Sequence, residues 1–231
     1  ATETVPVTML ITAAFFVLAA TPTFLFLRER AVPQPMGSPW RRLLETARKA
    51  AEYRDLRRFL LCLLFYQAGI TAVISLAAIY AEQAMKFTTQ QTITLILVVN
   101  VTAAIGAFGF GYLQDAIGHV RSVALTLVGW IVMVVLAGLS EGPAMFWVAA
   151  NLAGLCMGSS QAAGRAIVGY LAPPARLAEF FGLWGLATKA AAIFGPITYG
   201  AVTWAFPDNH RLGIFVTGIY FVVGLALLRT I

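Results

Sequence analysis

The chain has 231 residues, of which 60% are hydrophobic and 11% charged. Soluble domains carry about 45–50% apolar and about 25% charged residues, so this composition excludes a soluble enzyme domain and a disordered chain. The net charge of +6 speaks of membrane topology rather than of nucleic acid. The two cysteines, Cys62 and Cys156, lie inside apolar runs and predict no disulfide framework.

In chain order, apolar runs fall at about 5–27, 59–81, 91–113, 122–140, 143–171, 178–206 and 211–228. Each is long enough to cross a bilayer, which takes about 20 residues of helix. They are rich in Gly, Ala, Leu and aromatics and show no sustained period of two, which favours helices over a barrel. The expectation is an all-α membrane protein with seven transmembrane helices. No room is left for a soluble domain.

Between the first two runs lies a polar stretch, residues 28–58, that begins with Pro33, Pro35 and Gly37. Ser38-Pro39 reads as an N-cap with a first-turn proline. Beyond it, Trp40, Leu44, Ala47 and Ala51 form one apolar stripe flanked by Arg41, Arg42, Arg48, Lys49, Arg54, Arg57 and Arg58. The pattern predicts that residues 40–57 form a basic amphipathic helix on the membrane surface.

The loops give an orientation. Residues 28–58 hold nine Lys or Arg, and the same side receives Arg121, Arg165, Arg176 and Arg229. The other side receives Lys86 and Arg211. This bias places residues 28–58 and the C-terminus in the cytoplasm and the N-terminus outside, in a cell (inner) membrane. An outside N-terminus on seven spans fits a piece cut from a larger protein.

Four polar residues fall near mid-depth when helical rise is counted at about 1.5 Å per residue: Gln67, Asn100, Asn151 and Lys189. Polar groups in a bilayer face a bundle interior or water, so these four are the candidate solute contacts. The first, fourth and seventh runs carry only Thr, Tyr or Trp at that depth, such as Thr12, Trp130 and Tyr220. Three-helix units whose third member faces lipid would give that pattern. Gly106, Gly109 and Gly111, and Gly154 with Gly158, predict close helix approach. Gly195-Pro196 interrupts the sixth run beyond Lys189 and reads as a hinge or a kink. No Ser-His-Asp set, metal cluster or phosphate loop is present, so neither an enzyme nor a cofactor is expected.

Between the third and fourth runs the chain reads Gly111-Tyr112-Leu113-Gln114-Asp115-Ala116-Ile117-Gly118-His119-Val120-Arg121. This resembles the inter-helix loop of the major facilitator superfamily, with Ala116 where a basic residue is usual and His119 where Arg is common. The segments Tyr53-Arg54-Asp55-Leu56-Arg57-Arg58-Phe59-Leu60-Leu61 and Phe65-Tyr66-Gln67-Ala68-Gly69-Ile70 narrow the resemblance. So do Gln161-Ala162-Ala163-Gly164-Arg165, Leu171-Ala172-Pro173-Pro174, Ala178-Glu179-Phe180-Phe181-Gly182-Leu183 and Phe194-Gly195-Pro196. Together they resemble the vacuole-effluxer-like, autophagy-related branch.

The resemblance implies twelve spans in two six-helix halves. Residues 1–27 would be the last helix of the N-terminal half, 28–58 the cytoplasmic linker and 59–231 the C-terminal six-helix half. The implied function is a secondary transporter exporting small solutes, amino acids among them, by alternating access. Its partners would be the lipid bilayer, the N-terminal half and a small-molecule substrate. A membrane scaffold subunit with the same fold is the alternative. Many relatives carry Asp near Gln67 and Ala68, where this chain has none. The resemblance also implies a cytoplasmic latch between Asp115 and Arg165, with Gly111, Gly118, Arg121 and Gln161 as gating residues.

Overall fold

The structure is a computed structural model that describes residues 4–28, 48, 53–206 and 209–231. Seven α-helices are described in full: α1 (Thr4–Phe26), α2 (Arg54–Gln83), α3 (Thr89–Ile117), α4 (His119–Leu139), α5 (Pro143–Leu171), α6 (Leu177–Ala205) and α7 (His210–Leu228). The chain divides into two units, Ala1–Pro39, which contains α1, and Trp40–Ile231, which contains the other six. In α1 the hydroxyls of Thr12 and Thr21 donate to the carbonyls of Thr8 and Val17. A helix in hydrocarbon satisfies its own polar groups in this way.

Six helices are long and apolar enough to cross a membrane: α1, α2, α3, α4, α6 and α7. The seventh, α5, is as long as α3 at 29 residues but falls short in hydropathy. Asn151, Ser159, Ser160 and Gln161 interrupt its apolar character, and Ser159 and Ser160 are buried inside the bundle.

Local sequence explains where the helices begin and end. Thr88 and Gln91 form a reciprocal capping box at the start of α3. Pro143 opens α5 at a position where its missing N–H costs nothing. Asn209 accepts from the Leu212 N–H to cap α7. Gly118 alone joins α3 to α4, with φ +86°, a left-handed conformation that a side chain would strain. At Gly195-Pro196, where the sequence reads as a hinge or a kink, α6 keeps its helical assignment through Pro196. Gly195 lies against α2, where a Cβ would stand 2.1 Å from the Ala68 carbonyl oxygen. Packing on α2 holds the helix across the proline. The predicted surface helix over 40–57 lies outside the described residues except at Arg48 and from Tyr53 on, and Arg54–Arg57 belong to the first turn of α2.

Packing reveals an internal repeat. α2 packs on α6 and α7, as α5 packs on α3 and α4. α3 touches α4 as α6 touches α7, and α4 meets α7. Exchanging the unit α2–α4 with the unit α5–α7 therefore maps the contacts onto themselves. Because α2 and α5 run in opposite directions, the relating axis lies across the helices, as in inverted-topology repeats. The core between the units stacks Trp130 of α4 on Phe221 of α7, centroids 5.0 Å apart and planes 8° apart. The Trp130 indole N–H donates to Ser160 Oγ of α5 at 3.3 Å.

Lipid offers no hydrophobic drive for helix association, so backbone proximity supplies it. At the α3–α5 contact, a Cβ on Gly106, Gly154 or Gly158 would fall 2.3, 2.2 and 1.8 Å from atoms of the facing helix. Gly109 and Gly111 are corrected: a Cβ on either meets nothing within 4 Å. Neither touches a facing helix among the described residues, and Gly111 borders an open cleft beside α5. Among the bundle's candidate spans α4 is the most buried, because it packs on α5 and α7 at once. A single stripe, Leu125, Val128, Val132, Val135 and Leu139, is left exposed. The least covered are α3 and α6.

Candidate functional site

The bundle has two ends. The near end holds the start of α2, the α3–α4 turn, the α5–α6 connection and the end of α7. There the Arg58 guanidinium donates to the Thr230 carbonyl. At the far end Arg211 donates to the Ser140 carbonyl at 2.7 Å and the Tyr80 hydroxyl to that of Ala137 at 2.9 Å. Arg54, Arg57, Arg58, Arg121, Arg165, Arg176 and Arg229 lie toward the near end, against Lys86 and Arg211 at the far end.

The six-helix unit brings Gln67 of α2 and Gln161 of α5 together. The Gln161 amide donates to Gln67 Oε1 at 3.3 Å, and both side chains are half-buried. Chain position alone sets these two apart, Gln67 as a solute contact and Gln161 as a gating residue. α2 and α5 are the first helices of the two three-helix units, so this bond joins the units near their axis. Each amide keeps a free donor or acceptor.

Beside the pair, the Tyr66 hydroxyl is buried with no hydrogen-bond partner among the described residues. A Cβ on Gly164 would come within 2.7 Å of it. One residue further along α5, the Arg165 guanidinium lies 5.3 Å from the centre of the Trp184 ring of α6. The Trp184 N–H is likewise buried and unpartnered among the described residues. Lys189 follows on α6, about 7.5 Å farther along the axis. It is exposed, and among the described residues no carboxylate lies within ion-pair distance of it. Tyr66 and Trp184 escaped the sequence reading because aromatics in apolar runs carry no signal of their own.

Asn100 and Asn151 do not join this group through side-chain bonds. Each amide donates to the carbonyl one turn back in its own helix, Ile96 and Trp147, at 2.8 Å. Of the four solute candidates, Asn100 alone borders the cavity of about 220 Å³ lined by residues of α2 to α7. Its walls include Tyr80, Trp130, Met133, Phe146 and Tyr199 and are overwhelmingly apolar.

At the near end, an open cleft between α3 and α5 is lined by Gly111, Tyr112, Gln114, Asp115, His119 and Ala166, among others. Gln114 is buried, and its amide nitrogen hydrogen-bonds His119 Nδ1. The His119 ring lies 5.3 Å from that of Tyr170 of α5. Asp115, Arg121 and Arg165 are exposed. Among the described residues no ion pair joins Asp115 to Arg165; the guanidinium lies over Trp184 instead.

The family described as "Vacuole effluxer Atg22 like" has a model that matches residues 1–231. The chain is 27% identical over 238 aligned positions to YxiO of Bacillus subtilis (strain 168), named an MFS-type transporter, covering 98% of this chain and 55% of that protein. It is 25% identical to autophagy-related protein 22-1 of Penicillium rubens, over 79% of this chain and 33% of that one. With autophagy-related protein 22 of Candida glabrata it shares 26%, over 82% and 37%. The chain thus spans about half the length of the bacterial relative and about a third of the fungal ones. Among solved structures, a mutant of the nucleoside transporter NupG superposes with a TM-score of 0.73 at 14% identity, covering 95% of this chain and 59% of that one.

Proposed function

We propose, for a chain that belongs to the vacuole effluxer Atg22-like family of major facilitator transporters, that it forms the C-terminal half of a secondary transporter that exports small solutes, amino acids among them. In this reading α1–α7 make seven spans: α1 is the last helix of the N-terminal half, residues 28–58 are the cytoplasmic linker, and α2–α7 are the second six-helix half. The near end, with its excess of arginine, is cytoplasmic, the N-terminus of the chain lies outside, and the protein sits in the cell membrane. The missing partner is the N-terminal half, seated on α3 and α6.

One observation carries the proposal. Lys189 is a cation in the middle of a membrane helix, exposed and without a carboxylate partner among the described residues. A charge at that depth persists where it meets water, an opposite charge or an anionic ligand. Lys189 receives an anionic group of the solute, and Gln67, Asn100 and Asn151 supply polar contacts along the path between the two halves. Rocking of the halves closes the near end through Asp115, Arg165 and Arg121 about the Gly111–Gly118 turn, and Gln161 acts with Gln67.

The test is counterflow in proteoliposomes that contain the full-length protein. Vesicles loaded with one unlabelled amino acid should accumulate its labelled form. Failure with all the standard amino acids, by protein that is folded and inserted, overturns the amino-acid assignment.

A further inference from the structure

We propose that the apolar cavity of the six-helix unit is a binding site for an uncharged aromatic molecule of one or two rings, separate from the polar positions Gln67, Asn151 and Lys189.

The walls set the chemistry. Residues of α2 to α7 enclose about 220 Å³, with Tyr80, Trp130, Met133, Phe146, Met157 and Tyr199 among them. Ring faces, ring edges and polarisable sulfur favour a flat aromatic guest over an aliphatic one. An apolar cavity of about 150 Å³ already holds benzene, so this one accommodates a somewhat larger ring system. Among the described residues none that lines it is charged, and Gln67, Asn151 and Lys189 lie outside its walls. An ammonium or a carboxylate would sit there without a counter-charge.

The polar side chains of the wall are already engaged. The Tyr80 hydroxyl donates to the Ala137 carbonyl at 2.9 Å and the Trp130 N–H to Ser160 Oγ at 3.3 Å. The Tyr199 hydroxyl and His210 Nδ1 share a hydrogen bond at 3.0 Å. Thr92 and Thr217 donate to carbonyls one turn back, those of Thr88 and Gly213. Asn100 gives one amide hydrogen to the Ile96 carbonyl and keeps its oxygen and its second hydrogen for a guest. Buried water takes about three polar partners, so these walls hold water poorly, while an apolar ring gives up no hydrogen bond on entering.

The position of Asn100 adds a direction. Ile74 of α2 and Ile96 and Asn100 of α3 are the exposed members of the lining, so the cavity opens between α2 and α3 with the amide at its rim. A guest with a single N–H places it on the Asn100 oxygen and buries its ring against the aromatic walls.

The experiment uses full-length protein in nanodiscs and 5-fluoroindole, followed by fluorine NMR. A bound resonance, distinct from probe in water or lipid, should saturate at one probe per protein. On saturation the methyl resonances of Met133 and Met157, labelled with carbon-13, should move under the ring current. Ala153→Leu of α5 and Ala77→Leu of α2, which fill the cavity from two different helices, should each weaken binding at least severalfold. Toluene should displace the probe, methylcyclohexane severalfold more weakly, and benzoate not at all. A wild type without a saturable resonance, or with both methionine methyls unmoved at saturation, overturns the site whether or not the leucine variants fold. Methylcyclohexane as effective as toluene overturns the aromatic assignment, and displacement by benzoate overturns the exclusion of charge.

Discussion

Gln161 of α5 donates its amide hydrogen to Gln67 of α2 at 3.3 Å, a side-chain bond that joins the first helices of the two three-helix units. If it acts as a unit, removing either partner removes the same interaction. Gln67→Ala, Gln161→Ala and the double variant should each lower unfolding stability by a similar amount, about 0.5–1.5 kcal/mol. A double-mutant cycle by thermal melting in detergent checks this. Additive losses would show that the two amides act separately.

The glycines divide into two kinds. Gly158 faces the Ala103 carbonyl with no room for a Cβ, whereas Gly169 has open space around it. Gly158→Ala should cost about 1–3 kcal/mol, the range for overpacking a tight contact. Gly169→Ala should be neutral, or stabilise by up to about 1 kcal/mol through helix propensity. Melting of the two variants side by side is the measurement, and equal effects would contradict the packing described.

At the turn, Gly118→Ala has space for its methyl group but not for its backbone, because φ is +86°. The expected loss is about 1–2 kcal/mol, the cost of a left-handed conformation for an L-residue. A thermal melt that leaves this variant level with wild type would mean the turn relaxes into another conformation.

Lys189→Ala should abolish counterflow at normal membrane levels, since no neighbouring cation among the described residues shares its position on α6. Lys189→Arg should fail or change selectivity, because a fork-shaped guanidinium does not replace a compact ammonium. Normal transport by the alanine variant would refute a solute role and leave Lys189 a structural group.

A latch between Asp115 and Arg165 requires the two side chains to meet when the near end closes. Cysteines at both positions, in a background without Cys62 and Cys156, should form a disulfide on oxidation and stop transport until reduced. Disulfides need Cα atoms within about 7 Å. Oxidation that leaves counterflow intact would remove the latch.

The seven helices were legible in the sequence because a bilayer demands long apolar runs. Each run from 5–27 to 211–228 became a helix within a few residues of its predicted bounds. Gly118 was legible too, because a one-residue turn between two long helices calls for the residue that tolerates positive φ. The Gly106–Gly154–Gly158 contact followed from small residues in apolar helices, but Gly109 and Gly111 have the same composition and meet no facing helix within 4 Å. The facing helix, which lies far along the chain, makes that distinction. The same holds at Pro196, where α6 stays helical with Gly195 packed against Ala68 of α2. It holds again at Gln161, which chain position put with the near-end gate and packing put beside Gln67. Hydropathy is a property of one segment and fixes that segment's helix. Which face of a helix meets which neighbour depends on residues a hundred positions away, and the tertiary structure alone decides it.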